Sequence, residues 1–341
     1  VPQDHQKPAS AGFLCFLALE QSPVEPALSL CGRRGFFFSR RSFHVGRSVR
    51  KPMEQLSMKT LLIAAEKGGT GRTALLCQLA HYFCLVGKLR VLVIDLAEPA
   101  CSTVSLARAC KAVVLGGQWA TALAGEPPRS TSKGCIHVLP ACAIHGLTFE
   151  RGEGGARYHA NLRHLLSVVA PFADVCLIDC PPLPDMRAVC VEATVDAMLS
   201  PILLSQEAFD SAAELINGVQ GVRDVRARLN PSLRFIGLLP NMVEKTPLQQ
   251  AQARVLQARL SAWLIPDPEN PNGYLHMPRL DEIAKAQAVG VSVWDLTHTD
   301  HAARTSWRAM RACFDVIARR LDSVETRLAD VQAFNREAFH A

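Results

Sequence analysis

Residues 60–73 read Thr-Leu-Leu-Ile-Ala-Ala-Glu-Lys-Gly-Gly-Thr-Gly-Arg-Thr, and this stretch decides the fold. Leu61 to Ala65 is an apolar run short enough for one buried strand. Gly68, Gly69 and Gly71 follow, and Ala74-Leu75-Leu76-Cys77-Gln78-Leu79-Ala80 opens an apolar helix. Strand, glycine turn and helix start are the setting of a phosphate-binding loop. Glycines let backbone N–H groups turn inward with no Cβ in the way of a phosphate. The helix start adds the positive end of its dipole. Gly68, Gly69, Thr70, Gly71, Arg72 and Thr73 are the candidate nucleotide contacts, with the Thr73 hydroxyl placed to ligate Mg²⁺. Against G-x-x-x-x-G-K-[ST], Glu66 replaces the first glycine and Arg72 the lysine, while Lys67 supplies an earlier cation. Taken alone, the stretch is also compatible with a glycine-rich turn that binds nothing.

The pattern continues down the chain. A helix is expected to about Val86, ended by Gly87 as a left-handed cap. Arg90-Val91-Leu92-Val93-Ile94-Asp95 holds an unbroken apolar, mostly β-branched run suited to a parallel strand buried on both faces. Helix is expected near Val104–Ala112, strand at 135–139, and helix from Tyr158 to Val169. Asp174-Val175-Cys176-Leu177-Ile178-Asp179-Cys180-Pro181-Pro182 is again an apolar strand ending on a carboxylate. Strands at 197–204 and 234–239 alternate with helices over 208–229 and 248–263. A proline-rich loop over 266–278 precedes helices near 281–288 and 305–321. Such alternation predicts an α/β fold, a single P-loop NTPase domain with a doubly wound, mostly parallel sheet and helices on both faces. Ligands of such sheets bind outside the C-terminal strand ends. Asp95 and Asp179 would sit there, a pair fit for Mg²⁺ and for placing water. A strand-end aspartate also serves as a helix cap.

Hydrophobic residues make up 49% of the 341, which supports a sizeable core. The net charge of +6 is compatible with a polyanionic partner without specifying one. None of the 12 cysteines forms a C-x-x-C pair, so reduced core thiols are expected rather than a metal site. No apolar run approaches the length of a membrane span. Residues 1–57 hold Arg33, Arg34, Arg40, Arg41, Arg47 and Arg50 against four acids, Asp4, Glu20, Glu25 and Glu54. They are read as a disordered leader or an over-extended reading frame. A transit peptide and an arginine contact to phosphate are the alternatives. The core domain is placed at 58–322 and a helical tail at 323–341.

The loop resembles the deviant Walker A motif, K-G-G-x-G-K-[ST], of the ParA/MinD ATPases. Lys67 matches the signature lysine and Thr73 the Mg²⁺ hydroxyl. Val91–Thr103 resembles V-L-x-I-D-x-D-P-Q-x-x-x-T, with Asp95 its first aspartate, and Asp179 matches the Walker B acid of I-I-D-C-P-P. Residues 196–207, Gly237–Met242 and Met277–Val293 resemble three further segments in order, and the likeness spans about 58–322. The resemblance implies a Mg²⁺-ATPase whose ATP-bound homodimer binds DNA without sequence preference. Lys67 would reach the partner's phosphates, with Lys67 and Asp95 catalytic. Asn241 and Pro278 would lie at the nucleotide, and Thr73, Asp95 and Asp179 at the metal. A ParB-like centromere-binding protein would trigger hydrolysis, partitioning plasmids or chromosomes in the cytoplasm, on the nucleoid.

Two departures fall on the chemistry. Ala97 occupies the place of the second aspartate of D-x-D, with Glu98 beside it, and Arg72 is bulkier and more planar than a lysine. Slow hydrolysis, or a degenerate nucleotide-binding scaffold, is therefore the alternative to a fast ATPase. Lys245, Arg279, Lys285, Arg304, Arg308 and Arg311 are the candidate DNA contacts. A MinD-like membrane cycle fits poorly, because the 323–341 tail mixes acids with its arginines and offers no basic lipid-binding face. No stable membrane anchoring is expected. An iron-cluster protein of the nitrogenase-reductase type would have only Cys142 and Cys180 to build from.

Overall fold

The computed structural model describes residues 58–108, 112–116, 134–144 and 154–322. The expectations for 1–57 and for the 323–341 tail lie outside them. Seven strands form one sheet: β1 Lys59–Ile63, β2 Arg90–Asp95, β3 Ala112–Val114, β4 Cys135–Pro140, β5 Val175–Asp179, β6 Ala197–Ile202 and β7 Arg234–Pro240. Their order is β3-β4-β2-β5-β1-β6-β7 and every pairing is parallel. The chain leaves β1 for β2 on one side and later returns past β1 to β6 on the other. β1 and the loop after it therefore sit where the winding reverses, the crevice in which open α/β sheets bind ligands.

Successive side chains of a strand face opposite sides of the sheet, and both sides are apolar here. Leu62, Ile94, Cys176, Ile178 and Met198 join one core, under helices α3 Gly155–Val169, α4 Met186–Glu192, α5 Gln206–Asn217, α6 Val222–Arg228 and α7 Pro247–Leu260. Leu61, Ile63, Val91, Val93 and Leu199 join the other. That core lies under α1 Arg72–Leu85, α2 Cys101–Ala107, α8 Asp281–Val289, α9 Val293–Leu296 and α10 His301–Asp322. On α10, Trp307, Met310, Phe314, Ile317 and Leu321 recur every three or four residues and form the buried stripe.

The doubly wound sheet is as the sequence predicts, and several local expectations are corrected. The helix expected over 208–229 is two, α5 and α6, divided at Gly218-Val219-Gln220-Gly221. Gln220 takes a left-handed φ of 71°, and its N–H donates to Asp224 Oδ2 at 3.0 Å. Ala112 does not end a helix but begins β3, a short edge strand on β4. The loop expected over 266–278 contains an antiparallel hairpin, β8 Pro266–Asp267 and β9 Asn270–Tyr274. α4 and α9 are too short to print a helical period in the sequence. The left-handed residue after α1 is Lys88, at φ 54°, not Gly87. Gly87 is needed instead for space, since a Cβ there would lie 2.8 Å from Phe83 O.

One buried charge carries a stability consequence. Glu192, at the end of α4, is fully buried and neither carboxylate oxygen has a hydrogen-bond partner. Desolvation, helped by Asp224, raises it from 4.5 to about 8. The folded state then holds a proton that the unfolded chain releases, so this group's contribution to stability is full below pH 4.5 and is lost by about pH 8. Glu192→Gln is expected to flatten that fall and to be roughly 2–4 kcal/mol more stable than the parent at pH 8. Urea unfolding of both proteins at pH 5 and pH 8 measures it, and equal pH dependence in the two would refute the assignment.

Candidate functional site

Between β1 and α1 the chain crosses the C-terminal edge of the sheet through Ala64–Gly71. Gly69 and Gly71 have φ of 79° and 81°, the left-handed region that favours glycine. Gly71 is constrained twice, because a Cβ there would lie 2.6 Å from Asn241 Nδ2 and 2.7 Å from Met242 Cε. Asn241 in turn donates Nδ2 to Thr70 O at 2.8 Å and ties the end of β7 to the loop. A Cβ on Gly68 would meet nothing, so the cradle is open there. The Thr70 hydroxyl is buried without a partner. Gly71→Ala is expected to cost about 2–3 kcal/mol, from left-handed strain plus overpacking. Urea unfolding reads that loss, and unchanged stability would contradict the packing.

Strand register brings the two carboxylates together. Asp95 stands opposite Asp179 across β2–β5, and Asp179 opposite Ile63 across β5–β1. Both side chains are buried. Thr73 Oγ1 donates to Asp179 Oδ2 at 2.9 Å, joining the first turn of α1 to the end of β5. Burial and the neighbouring Asp95 raise Asp179 from 3.8 to about 6, against the Thr73 bond and the Arg72 charge. Asp95 also serves as a cap. Thr103 N and Oγ1 both donate to its Oδ2 at 2.7 Å, and Ala97 N donates to its Oδ1 at 3.2 Å. α2 begins after Ala100, which has no capping side chain, and Asp95 takes that part. Asp95 thus caps α2 and also stands beside the second acid, Asp179.

The cations do not converge on the loop. Arg72 Nη1 donates to Cys180 O at 2.8 Å, and desolvation lowers its pKa against the pull of Asp179. Lys67 Nζ lies 3.3 Å from Glu207 Oε2 at the start of α5 and is half exposed. Glu66 is raised to about 7 by burial and by Glu214, with Lys67 opposing. Glu98, the acid beside Ala97, forms an ion pair with Arg187 of α4 at 3.0 Å.

Beyond Gly71 a cavity of about 310 Å³ opens between α1, the β7 exit and α8. Asn241 and Pro278, which the resemblance puts at the nucleotide, line it together with Met242, Met277, Ile283, Gln287 and Phe314, which sequence reasoning missed. These come from separate segments, and the only sequence signal was the apolar neighbours of Asn241 and Pro278. Of the candidate basic contacts, Arg304, Arg308 and Arg311 lie on the exposed side of α10. Arg304 Nε donates to Thr297 O at 2.8 Å, and Arg311 is 3.8 Å from Asp315. Lys245 is exposed, Arg279 pairs with Glu244 at 2.8 Å, and Lys285 with Glu282 at 3.6 Å. The nine described cysteines are free thiols, six of them buried, and no described cluster of His, Cys, Asp or Glu could hold a metal by itself. Among the described residues no helix is long and apolar enough to cross a membrane.

A glycine loop at the switch point, two acids at adjacent strand ends and an apolar cavity beside the helix define a nucleotide-binding P-loop domain. The chain belongs to the CobQ/CobB/MinD/ParA nucleotide binding domain family, whose profile matches residues 61–293. Within it the chain is of the ParA/IncC-like partition ATPase kind. It is 29% identical to Protein IncC of Escherichia coli over 268 residues, 78% of this chain and 70% of that one. It is 30% identical to the chromosome partitioning protein ParA of Caulobacter vibrioides over 200 residues, 55% of this chain and 71% of that one. Two solved structures share the fold. A Cyanothece McdA variant in complex with ATP has a TM-score of 0.56 and 16% identity, covering 76% of this chain and 96% of its own. Cobyrinic acid a,c-diamide synthase from Mycobacterium smegmatis, with an ATP analog and magnesium, has a TM-score of 0.52 and 20% identity, covering 78% and 96%.

Proposed function

We propose that this protein is a partition ATPase that binds Mg²⁺-ATP in the loop Gly68–Thr73, with the adenine in the cavity at Asn241 and Pro278. The observation that carries this reading is the Thr73–Asp179 bond at the foot of the glycine loop, beside Asp95. The site fits the nucleotide on its own evidence: an open cradle at Gly68, and an orphaned Thr70 hydroxyl that a phosphate oxygen can satisfy. Thr73, Asp95 and Asp179 would hold Mg²⁺, which neutralises phosphate charge. Asp95 is to orient water as well as cap α2. A carboxylate accepts about four hydrogen bonds, and three donors on Asp95 leave one acceptor position, which a single Mg²⁺-bound water could take so as to serve both roles. Lys67, on the rim at Glu207, acts across a homodimer on the partner's phosphates. The exposed arginines of α10, with Lys245, Arg279 and Lys285, make the non-specific DNA surface. The relatives' names support a partition role, and the reading carries with it a ParB-like partner and a cytoplasmic, nucleoid-bound location.

The test is binding of the full chain to random-sequence duplex DNA with ATP, ADP or no nucleotide, across a salt series. Binding that appears only with ATP and weakens steeply with salt is the expected result. Absence of any nucleotide effect would favour a second reading, a scaffold that binds nucleotide without fast turnover. Two observations favour that second reading: the Arg72 guanidinium is engaged on Cys180 O, and Ala97 carries no acid.

A further inference from the structure

Arg187, which no motif singles out, sits where two acid-bearing loops meet. It is the second residue of α4, and its side chain is only 13% exposed. Asp185 holds it bidentately, receiving Nε on Oδ1 and Nη2 on Oδ2, each at 3.0 Å. The same Asp185 Oδ1 accepts the Arg187 backbone N–H at 2.9 Å and caps the helix. The remaining arm, Nη1, reaches Glu98 Oε1 at 3.0 Å on the loop that leaves β2. An exposed ion pair is ordinarily worth little, because two long side chains must be ordered for it. Here the cation is already ordered by packing and by Asp185, so only Glu98 has to be ordered when the two loops join.

The position matters for the chemistry. The two loops begin at Asp95 and Asp179, and their roots are joined by Leu96 N donating to Asp179 O at 2.8 Å. The β5 exit is joined to the β1 exit by Leu183 N donating to Ala65 O at 3.1 Å. Glu98–Arg187 closes the remaining side, beyond Ala97, where the family pattern has its second acid. We propose that Arg187 is a positioning residue that couples the β2-exit and β5-exit loops through Glu98, holding Asp95 and Asp179 aligned for hydrolysis. This rests on the reading of the site as an ATP-hydrolysing one.

The experiment compares the full-length wild type with Glu98→Gln, Arg187→Met, Arg187→Lys and the Glu98→Gln/Arg187→Met double variant. Glu98 is largely exposed, so its variant keeps the fold. Steady-state ATP turnover is measured beside hydrogen exchange of the nucleotide-free proteins. Glu98→Gln is expected to lower kcat about tenfold with KM held within about twofold, as for lost alignment rather than lost binding. The double variant should be no worse than Arg187→Met, and Arg187→Lys should recover part of kcat. Exchange should quicken about fivefold or more in 96–100 and also in 180–185, although Glu98 belongs only to the first loop. Unchanged kcat, additive losses, or loosening confined to 96–100 in an active wild type overturns the coupling alone. A wild type that neither binds nor hydrolyses ATP overturns the reading of the site and this role with it.

Discussion

Asp179→Asn is expected to cut ATP turnover by about 10²–10³-fold while making the nucleotide-free protein more stable. The carboxylate is buried beside Asp95, and both effects raise it to about 6. A carboxyl raised in the fold stabilises fully below its ordinary 3.8 and loses that contribution as the pH climbs to about 6. Above pH 6 the protein therefore carries the whole penalty of the charge, and asparagine removes it. The gain is on the order of 2 kcal/mol at pH 7.5. The amide oxygen can still accept from Thr73 Oγ1, so the loop stays anchored while the negative charge proposed to hold Mg²⁺ is gone. The same group dictates a pH dependence: Mg²⁺-dependent nucleotide binding in the wild type should fall below about pH 6, as the metal must then displace a proton. Turnover assays, thermal melts and binding titrations over pH 5–8 check the three. A variant that is slower but no more stable would mean that Asp179 is not held against its own charge.

Arg72→Lys is expected to raise ATP turnover about tenfold, close to 1.4 kcal/mol of transition-state stabilisation. The guanidinium donates to Cys180 O, so its charge is engaged behind the loop at the β5 exit. An ammonium is a compact point charge that can sit between two phosphates, whereas the broad guanidinium fork binds phosphate oxygens only edge-on. Losing the bond to Cys180 O should cost about 1 kcal/mol of stability, so the variant is expected to be faster and slightly less stable. Phosphate release at saturating ATP, with nucleotide affinity by calorimetry, measures both. Turnover that stays flat or drops in the lysine variant would show that Arg72 already serves the phosphates, or that the protein is a scaffold.

The parts of the fold readable from the sequence share a physical cause. Arg90–Asp95 and Val175–Asp179 are runs buried on both faces, and such runs announce parallel strands whatever surrounds them. Gly68–Thr73 announces its loop because the glycines' freedom is local. Elsewhere length or neighbours decide. α4 is seven residues, too short to print a period, and α5–α6 read as one helix because their apolar faces continue across Gly218–Gly221. β3 is a strand only because β4 lies beside it.

By itself, the sequence determined the strand-loop-helix at 59–85, the two acids at strand ends and the doubly wound order of elements, all properties of local runs and spacing. Only tertiary structure decided what each charge does. Register across β2, β5 and β1 made Asp95 and Asp179 neighbours, folding placed Arg72 on Cys180 and Lys67 on Glu207, and Glu98 found Arg187 across 89 residues of chain. Charge interactions depend on distance and burial, which are set when separate segments meet, and no stretch of sequence carries them alone.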